Sequence, residues 1–217
     1  AMAGLVAREK GLAVGLSLRR LPAARELARR ELARRLEPFG ASLGLSAAAV
    51  RHLTAFNGLA GGLAVADLRR RLKDELAAAD VTADPAQAAH FLQEDLPIVA
   101  EDGAAPRVAT IAPDLVGEAV IVEALMAPPD VQAAAPDLVR RAYAATGPRA
   151  ATALVRLVQD FGYAAEDATA APADRTAGEA VLDWLQGLAE SIDHPDALEP
   201  LAIALPLDTT VLRETAL

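Results

Sequence analysis

Between Leu96 and Leu125 the hydrophobic period of this chain changes twice. LPIVAED (Leu96 to Asp102) and PRVATI (Pro106 to Ile111) alternate like short strands on either side of Gly103, which predicts a small β-hairpin. The adjoining stretch, APDLVGEAVIVEAL, has the composition of a buried helix. Its predicted start is Pro113, because a first-turn amide has no helical partner to lose, with Asp114 and Glu118 placing negative charge near the positive end. Any fold for this chain must therefore seat one isolated hairpin directly before one of its most apolar helices.

Composition makes the hairpin the exception. The 217 residues are 53% hydrophobic and only 3% aromatic, with abundant alanine, leucine and arginine, residues that lose little on entering a helix. The expected class is all-α with a small β-hairpin, in one or two domains. Cysteine is absent, which excludes disulfides, a thiolate nucleophile and cysteine metal sites and fits a cytoplasmic location. No apolar run approaches the roughly 20 residues of a bilayer span, and no signal-peptide order opens the chain, so no membrane partner is expected. The leading Ala1-Met2 and the helical pattern still running at Leu217 suggest a piece of a longer parent chain.

Charge divides the chain. Residues 1–75 hold 14 Lys and Arg against 7 Asp and Glu, and the remainder holds 7 against 23. Such a split can serve nucleic acid, or the two parts can face each other or a missing part of the parent.

The patterning defines three regions. In residues 1–40, a lid-like helical segment, Leu27 and Leu32 share helical spacing with Arg25, Arg29, Arg30, Arg34 and Arg35, and Pro38 and Gly40 are expected to end the helix. In residues 41–126, Ser46 can cap a helix carrying Val50, Leu53, Thr54 and Phe56, and Gly61-Gly62 forms a turn. The next helix has an apolar stripe of Val65, Leu68, Leu72 and Leu76, with Arg69, Arg70, Arg71 and Lys73 on its other faces. A short helical segment near Ala86 to Leu92 then leads into the hairpin. Helices succeeded by a hairpin outline a winged-helix module. Residues 127–217 return to helices in a repeat-like helical domain, broken at Pro128-Pro129-Asp130, at Gly147-Pro148 and along 164–174.

A winged helix invites DNA, and the expected recognition helix is Val65 to Leu76. The wing, however, carries Glu101 and Asp102 beside the single cation Arg107, and the helical domain after residue 126 is strongly acidic. DNA is therefore not the expected partner.

The order of an arginine-rich helical segment, LTAFNGLAGGLAVADLR, a hairpin and IAPDLVGEAVIVEAL resembles the region downstream of the nucleotide-binding core in STAND proteins, the signal-transduction ATPases with numerous domains. Residues 18–126 carry the resemblance. It implies an upstream nucleotide-binding domain as partner, ATP or ADP bound by the parent rather than by this piece, and protein partners for the helical domain. In relatives of this class a Met-His-Asp motif opens the corresponding helix, and its histidine senses the nucleotide's β-phosphate. Ala112, Pro113 and Asp114 occupy those places here. Proline cannot donate that bond, so only Asp114 carries over, as the residue that starts the helix.

Catalytic patterns are missing. No G-x-x-x-x-G-K-[ST] occurs, GLAGG at 58–62 lacks a phosphate-reaching lysine, and no serine stands in a G-x-S-x-G elbow. His52, His90 and His194 share no metal-ligand spacing. Trp184 is an interface anchor or, more simply, core. The expectation is a non-enzymatic regulatory piece of a STAND-type NTPase, with Arg69, Arg70, Arg71, Arg107, Pro113 and Asp114 as regulatory or interface residues. The alternatives are a winged-helix transcription regulator with an acidic effector domain and a helical protein-interaction adaptor.

Overall fold

In a computed structural model of the chain, residues 12–100, 104–112, 114–126 and 129–204 are described. The fold is all-α with a small β-hairpin. Helix α1 (Leu12–Glu31) runs through a π-helical turn (Leu32–Leu36) into α2 (Glu37–Ser42), with α3 (Ala47–Leu59) next. A 3-10 turn (Val65–Asp67) opens α4 (Leu68–Ala78), then come α5 (Pro85–Asp95), β1 (Ile98–Val99), β2 (Arg107–Val108) and α6 (Asp114–Leu125). The remaining helices are α7 (Pro129–Thr146), α8 (Pro148–Phe161), α9 (Tyr163–Glu166), α10 (Pro172–Glu190) and α11 (Pro195–Ala204).

The apolar composition of α6 has the consequence its sequence demands. It packs against both α1 and α3, and Gly117 to Val122, Ala124 and Leu125 are buried. Each fully buried valine or leucine contributes about 1.5–3 kcal/mol, which makes α6 a major source of cohesion. The buried side chains from Leu21 to Leu201 form one continuous cluster. Trp184 belongs to it, 3% exposed, so it is core.

One expectation for the first helix is corrected. Pro38 and Gly40 do not end the helical path, because the π turn reroutes the hydrogen bonds and the Glu37 N–H donates to the Leu32 carbonyl. Pro38 then falls in the first turn of α2, where its missing N–H costs little. Gly40 is a contact point, since a Cβ there would lie 2.1 Å from Val50 Cγ2. The buried stripe is Leu21, Ala24, Ala28, Leu32 and Leu36, whereas Leu27 is 51% exposed and Arg25 takes an inward position.

The winged-helix outline gains a third strand-like segment. Beyond the antiparallel pairs Ile98 with Val108 and Val99 with Arg107, Ala64 bridges to Arg107 from the α3–α4 connection. The Val65 N–H donates to the Pro106 carbonyl at 2.9 Å, and the Val108 N–H to the Leu63 carbonyl at 2.8 Å. Asn57 locks this arrangement: its side-chain N–H donates to the Ala109 carbonyl at 2.9 Å, and its Oδ1 accepts from the Leu63 N–H at 3.0 Å. Ser46 caps α3 as predicted, accepting from the Ala49 N–H at 3.1 Å. The stripe of α4 is also as predicted, with Leu68, Leu72 and Leu76 buried.

In the C-terminal part, α8 packs on α7, α10 and α11, and α9 on α8 and α10. Pro136 lies inside α7 although Pro128-Pro129-Asp130 was the expected break. Gln132, Ala133 and Ala134 before it are exposed, so the carbonyl left without a donor can turn to water. Past His194 the described residues form α11, and residues 205–217 lie outside the described residues.

Candidate functional site

Where the hairpin base, the start of α6 and the first half of α8 meet, they enclose a cleft of about 460 Å³. The Gly61-Gly62 turn makes room for it. Both glycines have positive φ, 62° and 89°, and a Cβ on Gly62 would lie 2.5 Å from the Val108 carbonyl oxygen, so only glycine fits between α3 and β2. Arg107 reaches back over this turn and donates from Nη1 to the Gly61 carbonyl at 3.1 Å. Arg149 and Arg156 line the opposite wall. They stand seven residues apart on α8, two helical turns or about 10 Å along one face.

The other wall comes from α3 and α6. Thr54 and Glu118 line it, both largely buried, and Thr54 Oγ1 and Glu118 Oε2 have no hydrogen-bond partner among the described residues. Burial, then a hydrogen bond with Asp160, pushes the Glu118 carboxyl up to about 9. Glu118 is consequently neutral at pH 7 and does not supply the helix-start charge expected of it, because burial penalises the ionised form. Asp114, the first residue of α6, pairs with Arg156 at 3.3 Å, and both side chains are mostly exposed. Arg107, Arg149, Arg156, Asp114 and Glu118 are the ionisable residues of the lining.

The predicted residues therefore separate into two places. Arg107 and Asp114 come together in the cleft, and Pro113 lies outside the described residues. Arg69 and Arg70 are exposed on α4 and Arg71 is half-buried; Arg70 is paired with Asp67 at 3.0 Å. Arg70 and Arg71 edge a second, shallower hollow of about 290 Å³ with Glu75 and Arg141. Glu101 and Asp102 of the wing lie outside the described residues.

Within residues 41–126 three helices, α3, α4 and α5, precede the hairpin, and the one that leads directly into it is α5, not the arginine-rich helix expected to read DNA. The exposed residues of α5 are Gln87, His90 and Glu94, with no Lys or Arg anywhere on the helix. The sequence signal for this was present, since a segment near Ala86 to Leu92 already looked helical, but the density of arginine on α4 outweighed it.

Arg149 and Arg156 were missed although their seven-residue spacing on an amphipathic helix places them on one face. Thr54 and Glu118 were seen only as helix residues, because their joint burial depends on α3 meeting α6.

Two internal ion networks account for much of the remaining charge. Arg25, 6% exposed, donates from Nε to Glu123 at 2.5 Å and from Nη1 to Asp174 at 2.8 Å, which joins α1 to α6 and α10. Arg29 adds a bond to the second oxygen of Glu123 at 3.0 Å. On the other side, Glu75 of α4 accepts from His52 Nε2 at 2.8 Å and from Arg141 at 2.8 and 2.9 Å. Burial opposes ionisation of Glu75, but the hydrogen bonds from His52 and Arg141 outweigh it and hold its carboxyl below the ordinary value.

No protein-family model, curated protein or solved structure matches this chain. Among the described residues, no helix is long and apolar enough to cross a membrane.

Proposed function

We propose that this chain is the non-catalytic regulatory part of a STAND-type signalling NTPase of the cytoplasm. In this reading the winged-helix module packs on an upstream nucleotide-binding domain, which holds ATP or ADP, and restrains it. Signals received by protein partners of the C-terminal helices shift the two-state balance toward activation and assembly.

The supporting observation is the contrast between two helices of the module. A duplex reader needs cations on the helix it inserts and on its wing. Helix α5, beside the hairpin, offers Gln87, His90 and Glu94 instead, while Arg69 and Arg70 stay exposed on α4. That arrangement suits docking on an acidic or phosphate-bearing protein surface better than groove reading.

The test combines this chain with the phosphate-binding-loop domain encoded upstream in the same reading frame and monitors release of a fluorescent ADP. Release slowed by the chain, with the slowing lost when Arg69, Arg70 and Arg71 are all replaced by alanine, is the expected result. The reading fails if no such loop is encoded within roughly 300 residues upstream, or if release ignores the chain. Salt-sensitive duplex binding abolished by the same triple replacement would instead favour a transcription regulator.

A further inference from the structure

Helix α1 is fastened to the rest of the molecule more by charge than by apolar area. Outside its own helical continuation, its main packing partner is α6. Among its described side chains the buried apolar positions are Leu21, Ala24 and Ala28, two of them mere methyl groups, and the inward position beside them is the cation Arg25. That guanidinium donates to Glu123 of α6 at 2.5 Å and to Asp174, in the first turn of α10, at 2.8 Å. Arg29 adds a bond to Glu123 at 3.0 Å. Such a seam is specific in register but poor in apolar contact. Its charges regain water when it parts, so separation costs less than for a leucine-filled seam.

Both ends of this stretch also interrupt helical hydrogen bonding. Pro22 has no N–H to give to the turn before it, and at Leu32–Leu36 the π turn passes the Glu37 N–H to the Leu32 carbonyl. Past that turn the chain is anchored again, with Leu36 in the core and Gly40 against Val50 of α3. A pivot at the π turn therefore moves α1 without disturbing α2.

We propose that α1 is a detachable arm that pivots at the π turn, with Arg25 as its latch on Glu123 and Asp174. Opening returns the latch charges to water and uncovers the face of α6 that Glu123 shares with Ala119 and Val120, both fully buried while the arm is closed. The two acids come from different parts of the chain, α6 beside the hairpin and α10 among the C-terminal helices. Displacement of α10 withdraws Asp174 and leaves Arg25 partly unsatisfied in a buried place, which ties release of the arm to the C-terminal helices. This assignment does not depend on what the chain docks against.

The experiment is hydrogen exchange of the whole chain at pH 7, read by mass spectrometry on peptides from α1, α3 and α8. The amides of residues 23–31 are expected to exchange through local opening, about tenfold or more faster than those of α3. Asp174→Asn should speed them about tenfold further while α3 and α8 keep their rates. Glu26→Gln, which breaks only exposed pairs within α1 itself, leaves exchange unchanged. The proposal is overturned if residues 23–31 of the unaltered chain exchange together with α3. It is equally overturned if Asp174→Asn leaves their exchange unchanged or speeds all three helices alike, since the bridge would then be ordinary structural cement.

Discussion

Helices α1 and α4 look alike in sequence, each a run of arginines interleaved with leucine and glutamate, yet the folded chain uses them in opposite ways. On α1, Arg25 is buried between Glu123 and Asp174 and Arg29 joins Glu123, and in the π turn that continues it Arg35 reaches Asp95 of α5. On α4 the arginines remain on the surface, and it is the acid, Glu75, that is buried and held by Arg141. The charge imbalance along the chain is therefore resolved partly inside the molecule, with basic residues of the first part meeting acids of the rest. An arginine-rich helix is thus no evidence of an external anion until its partners are known.

Arg25→Ala is the sharpest way to break this comparison. It strands the buried Asp174 and leaves Glu123 with Arg29 alone, and should cost about 3 kcal/mol of stability in urea unfolding. A loss under about 1 kcal/mol would mean that α1 is not held inward in solution. Arg141→Ala, the counterpart on α4, should cost about 2 kcal/mol by leaving Glu75 with His52 alone. Because the Glu75 carboxyl is held below its ordinary value, its contribution is present above the unfolded-state pKa and fades as pH falls through the folded-state value. In Arg141→Ala that acid-side decline should be weaker, which a series of unfolding curves between about pH 3 and 7 would reveal.

Glu118 behaves with the opposite sign. Its folded-state value near 9 lies above the ordinary 4.5, so its contribution is full below the ordinary value and lost as pH rises toward 9. Glu118→Gln should remove that alkaline decline and gain about 2 kcal/mol at pH 8, with little change at pH 4. Equal unfolding midpoints for the two proteins at pH 8 would show that Glu118 is already ionised. The smallest effect belongs to the α4 surface. Replacing Arg69, Arg70 and Arg71 together should leave the thermal midpoint within the scatter of the measurement, since none is buried. A clear drop would place them in structural contacts and weaken the docking role.

Elements set by local pattern were legible in advance. The alternation around Gly103 predicted β1 and β2, and Ser46 predicted the start of α3. The stripe of Val65, Leu68, Leu72 and Leu76 predicted α4, although Val65 falls in the 3-10 turn before it, and the continuous apolar run predicted that α6 is buried. What failed rested on distant partners. Leu27 and Arg25 are two positions apart on one helix, and hydrophobicity alone would turn the leucine inward and the arginine outward. The reverse holds because Glu123 and Asp174, 98 and 149 residues away, accept the guanidinium. Ala64 alone has no strand pattern, and it pairs only because Arg107 arrives beside it.

The candidate site shows the same division. Arg107 and Asp114 could be singled out as the lone cation of the wing and the first residue of a helix. Their meeting with Arg149, Arg156, Thr54 and Glu118 required α3, α6 and α8 to converge. Helix, strand and turn preferences, and the burial of an all-apolar helix, arise from backbone sterics and hydrophobic periodicity within a few residues. Those were determined by sequence alone. Which arginines point inward, which carboxyl is neutral and where a cleft opens depend on desolvation and on partners supplied by remote segments. Those were decided by the tertiary structure, because the cost of burying a charge is set by what surrounds it.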